Sequence, residues 1–317
     1  MLVHLTCDSF LDEWIIGLPV RYGGMGIPMH RNIAPLAYST MSDFTQAILQ
    51  PIFDPVYAAD TERERQPEPQ RQRVAKLYEE QYKKHLDLTR DQQNVLLDNQ
   101  SKFGKAWLTT IPYNKSLKLS NAEISAGLHF RTLCPGQAET CTSCGLSNTL
   151  GHDDVCQSRP NLRRARHEHI KHLLLKHLSS VPNNTITPEP ATKTSLKRTD
   201  FRIGGCCSKV GGVSEYDLTI IAPTADYKGS RKDIQGCKTA EGRYRKELEW
   251  YEHEKILKYK NITHTPFCPL VFSAGGTLTD TSKDLFLHWK EHFKHFGTLV
   301  RHISVGLIRA RTAFFTF

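Results

Sequence analysis

The sequence predicts an α/β protein, mostly helical through its first two thirds, with a small mixed sheet under helical cover in the last third. Three observations predict it. Apolar residues recur at helical spacing in the first half, as in Val74, Leu77, Tyr78, Tyr82 and Leu86. Short β-rich runs appear late, at Thr199 to Ile203, Tyr216 to Ala222 and Pro269 to Ser273, with a charged helical stretch over 238–260 between the last two. A compact cluster of cysteines and one histidine marks the middle of the chain.

The elements follow in order. Residues 1–56 open on amphipathic sequence (Leu5, Phe10, Leu11, Trp14, Ile15, Leu18), pass through the glycine-rich turn Arg21-Tyr-Gly-Gly-Met-Gly-Ile27, and continue as a helix-like run through Leu36, Ala37, Met41 and Phe44. Residues 57–133 are expected to form a helical linker. It starts with a charged loop over 60–73 and ends on a helix announced by the capping-box pattern Ser120-Asn-Ala-Glu123. Residues 134–178 hold the Cys/His cluster and a helix with apolar positions Leu162, Ile170, Leu173, Leu174 and Leu178. Residues 179–196, rich in Pro, Asn and Thr, are expected to be a flexible linker. Residues 197–317 form the sheet domain, closed by an aromatic helical stripe (Leu285, Phe286, Trp289, Phe293, Phe296) and a last helix through Leu299, Ile303 and Leu307.

With 317 residues, 39% of them hydrophobic and 24% charged, the chain is long enough for two domains with their own cores. The net charge of +9 favours a polyanionic partner. Much of that charge lies just after the Cys/His cluster, in Arg163, Arg164, Arg166, His167, His169, Lys171, His172, Lys176 and His177. No apolar run reaches membrane-spanning length, which argues against a membrane partner. Asp8, Asp12 and Glu13 interrupt any secretory pattern, so a nuclear or cytoplasmic protein is expected, not a secreted one. The chain has nine cysteines, and in a reducing compartment Cys pairs read as metal sites rather than disulfides.

Cys141, Cys144, His152 and Cys156 have the spacing of a tetrahedral zinc site. Cys141 and Cys144 can grip an ion from a tight turn, and one helical turn puts His152 and Cys156 on the same side. The bland alternative is ordinary buried cysteines and a core histidine; four ligands within sixteen residues, with Gly145 and Gly151 between them, argue against it. Four protein ligands leave no open position, so the zinc is expected to be structural, with Cys134 as a substitute ligand. Asp200 begins one strand and Asp217 is expected to open the next. On neighbouring strands they can hold magnesium, which uses one or two carboxylates plus substrate phosphate. Lys255 and Tyr259 share a face of the following helix, and Glu241 and Glu254 are candidates to complete the metal shell. On spacing alone, strand-end caps and a solvated helix face explain these residues equally well. Tyr57-Ala-Ala-Asp60 is a weak echo of a polymerase motif, and Asp153-Asp154 reads as local solvated charge.

Taken in order, these parts resemble the C-terminal region of non-LTR retrotransposon polyproteins whose endonuclease is restriction-enzyme-like. Leu18-Pro-Val-Arg-Tyr-Gly-Gly-Met-Gly-Ile27, with Ala34 and Ala37, resembles the reverse-transcriptase thumb. Trp107-Leu-Thr-Thr-Ile-Pro112 resembles the linker before that family's Cys-Cys-His-Cys knuckle, which Cys141, Cys144, His152 and Cys156 match, and Arg166-His167-Glu168 resembles its basic helix. The last third resembles a PD-(D/E)XK nuclease. Asp200 and Asp217 match the acidic positions, Thr219 stands at the usual lysine position, and Lys255 and Tyr259 match the family's helix-borne lysine and tyrosine. Thr199 replaces the usual proline.

The resemblance implies a metal-dependent DNA endonuclease module. Asp200, Asp217, Lys255 and Tyr259 would be catalytic, with magnesium on the two aspartates. Arg163, Arg164, Arg166, His167 and Lys171 would contact DNA, with element RNA as a second partner. No polymerase palm motif is present, so no reverse transcription is expected, and residues 1–56 read as a thumb remnant. The alternative is a catalytically inactive zinc-knuckle remnant that binds nucleic acid without cutting it.

Overall fold

The computed structural model describes residues 11–53, 68–134, 140–147, 150–193, 197–210, 212–223 and 236–313. Two compact units divide the chain, Met1–Leu88 and Thr89–Phe317. The boundary therefore falls inside the segment expected to be one linker. Leu5, Phe10, Tyr57, Asp60 and the first part of the expected charged loop lie outside the described residues.

In the first unit, α1 (Leu11–Gly17) buries Trp14 and Ile15. The glycine-rich turn folds back onto it. The amides of Met25, Gly26 and Ile27 donate to the carbonyls of Ile15, Leu18 and Ile16 at 3.2, 2.9 and 3.1 Å. Gly24 is required at this approach, because a Cβ there would lie 2.1 Å from the Leu18 carbonyl oxygen. Helices α2 (His30–Phe53) and α3 (Gln70–Lys83) follow, tied by Arg73, which pairs with Asp43 and donates to Ser39 Oγ at 3.1 Å. Helix α2 leaves Tyr38, Met41, Ile48 and Ile52 exposed.

The second unit contains every strand among the described residues. Its elements are α4 (Arg90–Gln100), α5 (Lys102–Lys105), α6 (Asn121–Thr132), α7 (His152–Val155), α8 (Pro160–Leu178), β1 (Thr185–Pro188), β2 (Phe201–Gly204), β3 (Val213–Ile221), α9 (Ala240–Tyr259), β4 (Phe267–Ser273), α10 (Asp280–His292) and α11 (Phe296–Thr312). The capping box at Ser120 and Glu123 opens α6 as the sequence predicts, and a second one, Thr89 with Gln92, opens α4.

The four strands lie in the order β1-β2-β3-β4. β2 runs antiparallel to both β1 and β3, and β4 joins β3 in parallel after the α9 crossover. Strand alternation sorts the side chains into two faces. Phe201, Ile203, Tyr216, Leu218, Leu270 and Phe272 enter the main core with Ile170, Leu174 and Leu178 of α8, Trp289 of α10 and Ile303 of α11. Val271 faces the other way, against Tyr244 and Leu248 of α9. Asp217 and Thr219 alternate with Tyr216 and Leu218, so they too point to the α9 side.

Three expectations are corrected. The segment 179–196 is not simply a linker, because Thr185–Pro188 pairs with β2 from Thr185↔Gly204 to Pro188↔Phe201. It is a four-residue edge strand on which a terminal proline is tolerated. Asp217 does not open its strand; it lies in mid-β3, one residue beyond the part of β3 that pairs with β2. Asp154 is not solvated. It is 2% exposed, with Arg166 Nη1 at 2.5 Å and Arg311 Nε at 2.9 Å.

Arg311 also approaches Asp98 Oδ2 at 3.6 Å. The buried Asp98 carboxylate accepts from the hydroxyls of Tyr244, Ser273 and Thr277. This network joins α4, α7, α8, α9, α11 and the end of β4. Removing one partner of a buried ion pair leaves an uncompensated charge and costs about 3–5 kcal/mol. Asp154→Ala is therefore expected to lose about 3–5 kcal/mol in urea unfolding of the whole chain. A loss below about 1 kcal/mol, the range of exposed pairs, would contradict the network.

Candidate functional site

Two sites are built from the sequence-predicted residues. The first is the Cys/His cluster. A turn carries Cys141 and Cys144, closed by Gly145 N donating to Cys141 O at 2.8 Å and Cys141 N donating to Leu146 O at 2.8 Å. Gly145 and Gly151 both have positive φ, at 72° and 88°, the conformation that favours glycine. Gly151 begins α7, which presents His152, and Cys156 follows at its end.

The four donor atoms lie within 4.8 Å of one another. Cys141 Sγ and Cys156 Sγ are 3.8 Å apart, and Cys144 Sγ is 3.2 Å from His152 Nε2. Two thiolates on tetrahedral zinc, each at ~2.3 Å, stand about 3.8 Å apart. The cluster fits a zinc site. Burial opposes charging the Cys141 thiol, but the amides of Ser143 and Cys144 outweigh it and bring the group down to about 6. Burial and the neighbouring thiols push Cys156 up to about 11.

The second site surrounds Asp200 and Asp217. Where β3 outruns β2, side chains take over the hydrogen bonding of its edge. Asp200 Oδ2 accepts from Leu218 N at 2.6 Å, and His167 Nε2 lies 3.1 Å from Leu218 O and 3.0 Å from Asp200 Oδ2. Both partners of that nitrogen are acceptors, so it carries the ring proton. Burial opposes charge on His167, but Asp200 and Glu168 prevail and raise its pKa above the ordinary imidazole value.

Asp217 is met from α9. Lys255 Nζ is 2.5 Å from its Oδ2, and the Tyr259 hydroxyl is 2.8 Å from its Oδ1. Burial, then the charges of Asp217 and Asp200, hold the Tyr259 phenol far above its ordinary range, so it keeps its proton and donates. Thr219, two residues on and on the same face, has a buried hydroxyl oxygen that meets no hydrogen-bond partner among the described residues. Thr199, just before Asp200, donates to Glu215 Oε2 at 3.1 Å, and Arg202 reaches Glu215 Oε1 at 2.8 Å. Glu215 is fully buried and anchors the approach to Asp200. A proline at 199 would lack that hydroxyl.

The arrangement brings Asp200, Asp217, Lys255, Tyr259, His167 and Lys171 together. Lys171 Nζ stands 3.9 Å from Asp200 Oδ1 and bonds Glu168 and Glu189. Glu241 is left out, since fourteen residues of helix put it about 21 Å from Lys255 along the α9 axis. The basic set also divides. Arg166 is buried against Asp154, and Lys171 is buried among carboxylates, so neither presents its charge to solvent. Burial, with His302 and Lys176, pushes His177 down to about 4, which leaves it neutral at pH 7. Arg163 and Arg164 remain exposed, together with His172 and Lys176.

Sequence reasoning missed the pairing of His167 with Asp200 and the buried Glu215. The signal for the first was the four-residue spacing of Arg163, His167 and Lys171, which sets one helical stripe. Glu215 shares strand parity with Asp217 and Thr219, a signal no stronger than alternation itself. The chain matches no protein-family model and no curated protein.

Cobalt(II) added to the reduced protein is expected to give a thiolate charge-transfer band that weakens in Cys144→Ser; absence of the band in the parent would contradict a thiolate site. The raised His167 pKa also has a sign. The His167–Asp200 contact contributes stability that is fully present below the unfolded imidazole pKa of about 6.5 and is lost as pH rises through the folded value. An NMR titration should place His167 above 6.5, and Asp200→Asn should lower it. An unchanged value in the variant would show that Asp200 does not set it.

Proposed function

We propose that residues 89–317 act as a metal-dependent DNA endonuclease module of a retrotransposon-derived protein, with the Cys/His cluster as a structural zinc knuckle. The observation that carries this reading is the meeting of Lys255 and Tyr259 with both carboxylate oxygens of Asp217, beside the carboxylate of Asp200, which immediately precedes β2. The mixed four-stranded sheet, with β4 added in parallel after a crossover helix, supports the PD-(D/E)XK comparison.

Asp200 and Asp217 supply hard oxygen donors suited to magnesium, and the unpartnered Thr219 hydroxyl beside them is the kind of polar atom a hydrated ion would satisfy. Bound there, a divalent ion would lower the pKa of a water and offset charge on the phosphate. The protein's own residues do the rest. Lys255 holds its ammonium at the site, where it can move from Asp217 to the developing phosphate charge. Tyr259 fixes the Asp217 carboxylate by donating to it. His167 and Lys171 hold Asp200 on the opposite side.

DNA is the polyanion that the exposed Arg163 and Arg164 would engage. Arg163 lies one turn before His167 on the same stripe of α8, which leads from solvent to the acidic site. Such contacts release counterions, so affinity should fall steeply with salt.

The test is nicking of supercoiled plasmid in magnesium by the full chain. Asp217→Ala should abolish nicking, and Lys255→Ala should reduce it by about 10²–10³-fold, the range for losing one electrostatic donor. Nicking by Asp217→Ala at the parental rate would overturn the assignment. DNA retention without nicking in the parent would favour the inactive binding remnant.

A further inference from the structure

Helix α10 carries a second cluster of metal-binding residue types, far in sequence from the cysteines. His288, Glu291 and His292 each offer one ligand atom, and these atoms all lie within 4.8 Å of one another. The spacing explains why. Positions three and four apart on a helix project to one side. Ring centroids of His288 and His292 are 4.9 Å apart. Two donors on one ion at ~2.1 Å from it can be no more than about 4.2 Å apart, so small side-chain rotations close the set.

Two further observations point to a ligand. His288 Nε2 is buried and meets no hydrogen-bond partner among the described residues. A buried ring nitrogen without a partner is costly unless a ligand or water satisfies it. Glu291 and His292 also lie in the last turn of α10, whose C-cap is Phe293. Carbonyl groups at a helix C-terminus concentrate partial negative charge and favour a cation. The neighbours Leu285 and Trp289 are buried in the main core, so the turn that carries the ligands is anchored.

We propose that His288, Glu291 and His292 form a second transition-metal site, selective for borderline divalent ions such as zinc over magnesium or calcium. Two imidazoles and one carboxylate suit zinc, nickel or copper, whereas magnesium and calcium take oxygen ligands. Three protein ligands leave coordination positions open, so the ion exchanges more readily than one held by the four-ligand cysteine cluster. The site is independent of the endonuclease reading.

The experiment is equilibrium dialysis of the full chain against buffered zinc, with excess magnesium to occupy the Asp200–Asp217 carboxylates, followed by metal analysis. The parent should bind zinc at two classes of site. His288→Ala/His292→Ala should keep the tighter class and lose the weaker one. His292→Ala alone, a partly buried position, should weaken that class by more than the roughly 10–100-fold that outer-shell changes cost, and serves if the double variant does not fold. His253→Ala, at an exposed histidine of α9, should bind as the parent does. A parent with only the tighter class overturns the proposal. So does an equal loss in His253→Ala, which would mean that zinc binds surface histidines without selection.

Discussion

The carboxylate of Asp154 has two guanidinium partners and almost no water. Arg166 reaches it from α8 and Arg311 from α11, and Arg311 continues to Asp98 on α4. Charges this deeply buried persist only when they are paired, so the four residues constrain the elements that carry them. Arg166 fixes the rotation of α8. With Arg166 turned to Asp154, the next residue, His167, faces the sheet and meets Asp200, and Lys171 follows one turn later. The same bridge ties the Cys/His cluster to α8 and α11, because Asp154 lies between His152 and Cys156. The cluster is therefore a built part of the second unit.

Seen this way, the acidic site rests on supports from every side. β3 supplies Asp217, and its unpaired edge is completed by the side chains of Asp200 and His167. α9 supplies Lys255 and Tyr259. Glu215, buried beneath, holds Thr199 and Arg202 and so fixes the turn that delivers Asp200. A carboxylate pair held by this many partners keeps its geometry without a bound ion, which is what the proposed chemistry asks of it.

Much of this was legible in the residues. A β-rich run marked β3, although the strand ran back to Val213 before the sequence-based start at Tyr216, and Ser120 with Glu123 marked α6. The four residues of the Cys/His cluster were legible because metal-ligand spacing is a local constraint. What could not be read was set by tertiary contacts. β1 is four residues of Thr, Ile and Pro whose strand character comes from pairing with β2. Asp154 looked like surface charge because its two arginines lie 12 and 157 residues away. The basic stretch of α8 read as one phosphate-binding face, yet Arg166 and Lys171 turn inward to carboxylates that the sequence could not place beside them.

The central claim is that Asp200 and Asp217 share one divalent ion, with Lys255 giving way to it. Manganese scatters anomalously and substitutes for magnesium at oxygen sites, so a crystal of the full chain soaked in manganese tests it directly. One anomalous peak is expected within about 2.3 Å of a carboxylate oxygen from each aspartate. A peak on one aspartate alone, or none while Lys255 keeps its pairing with Asp217, would contradict it.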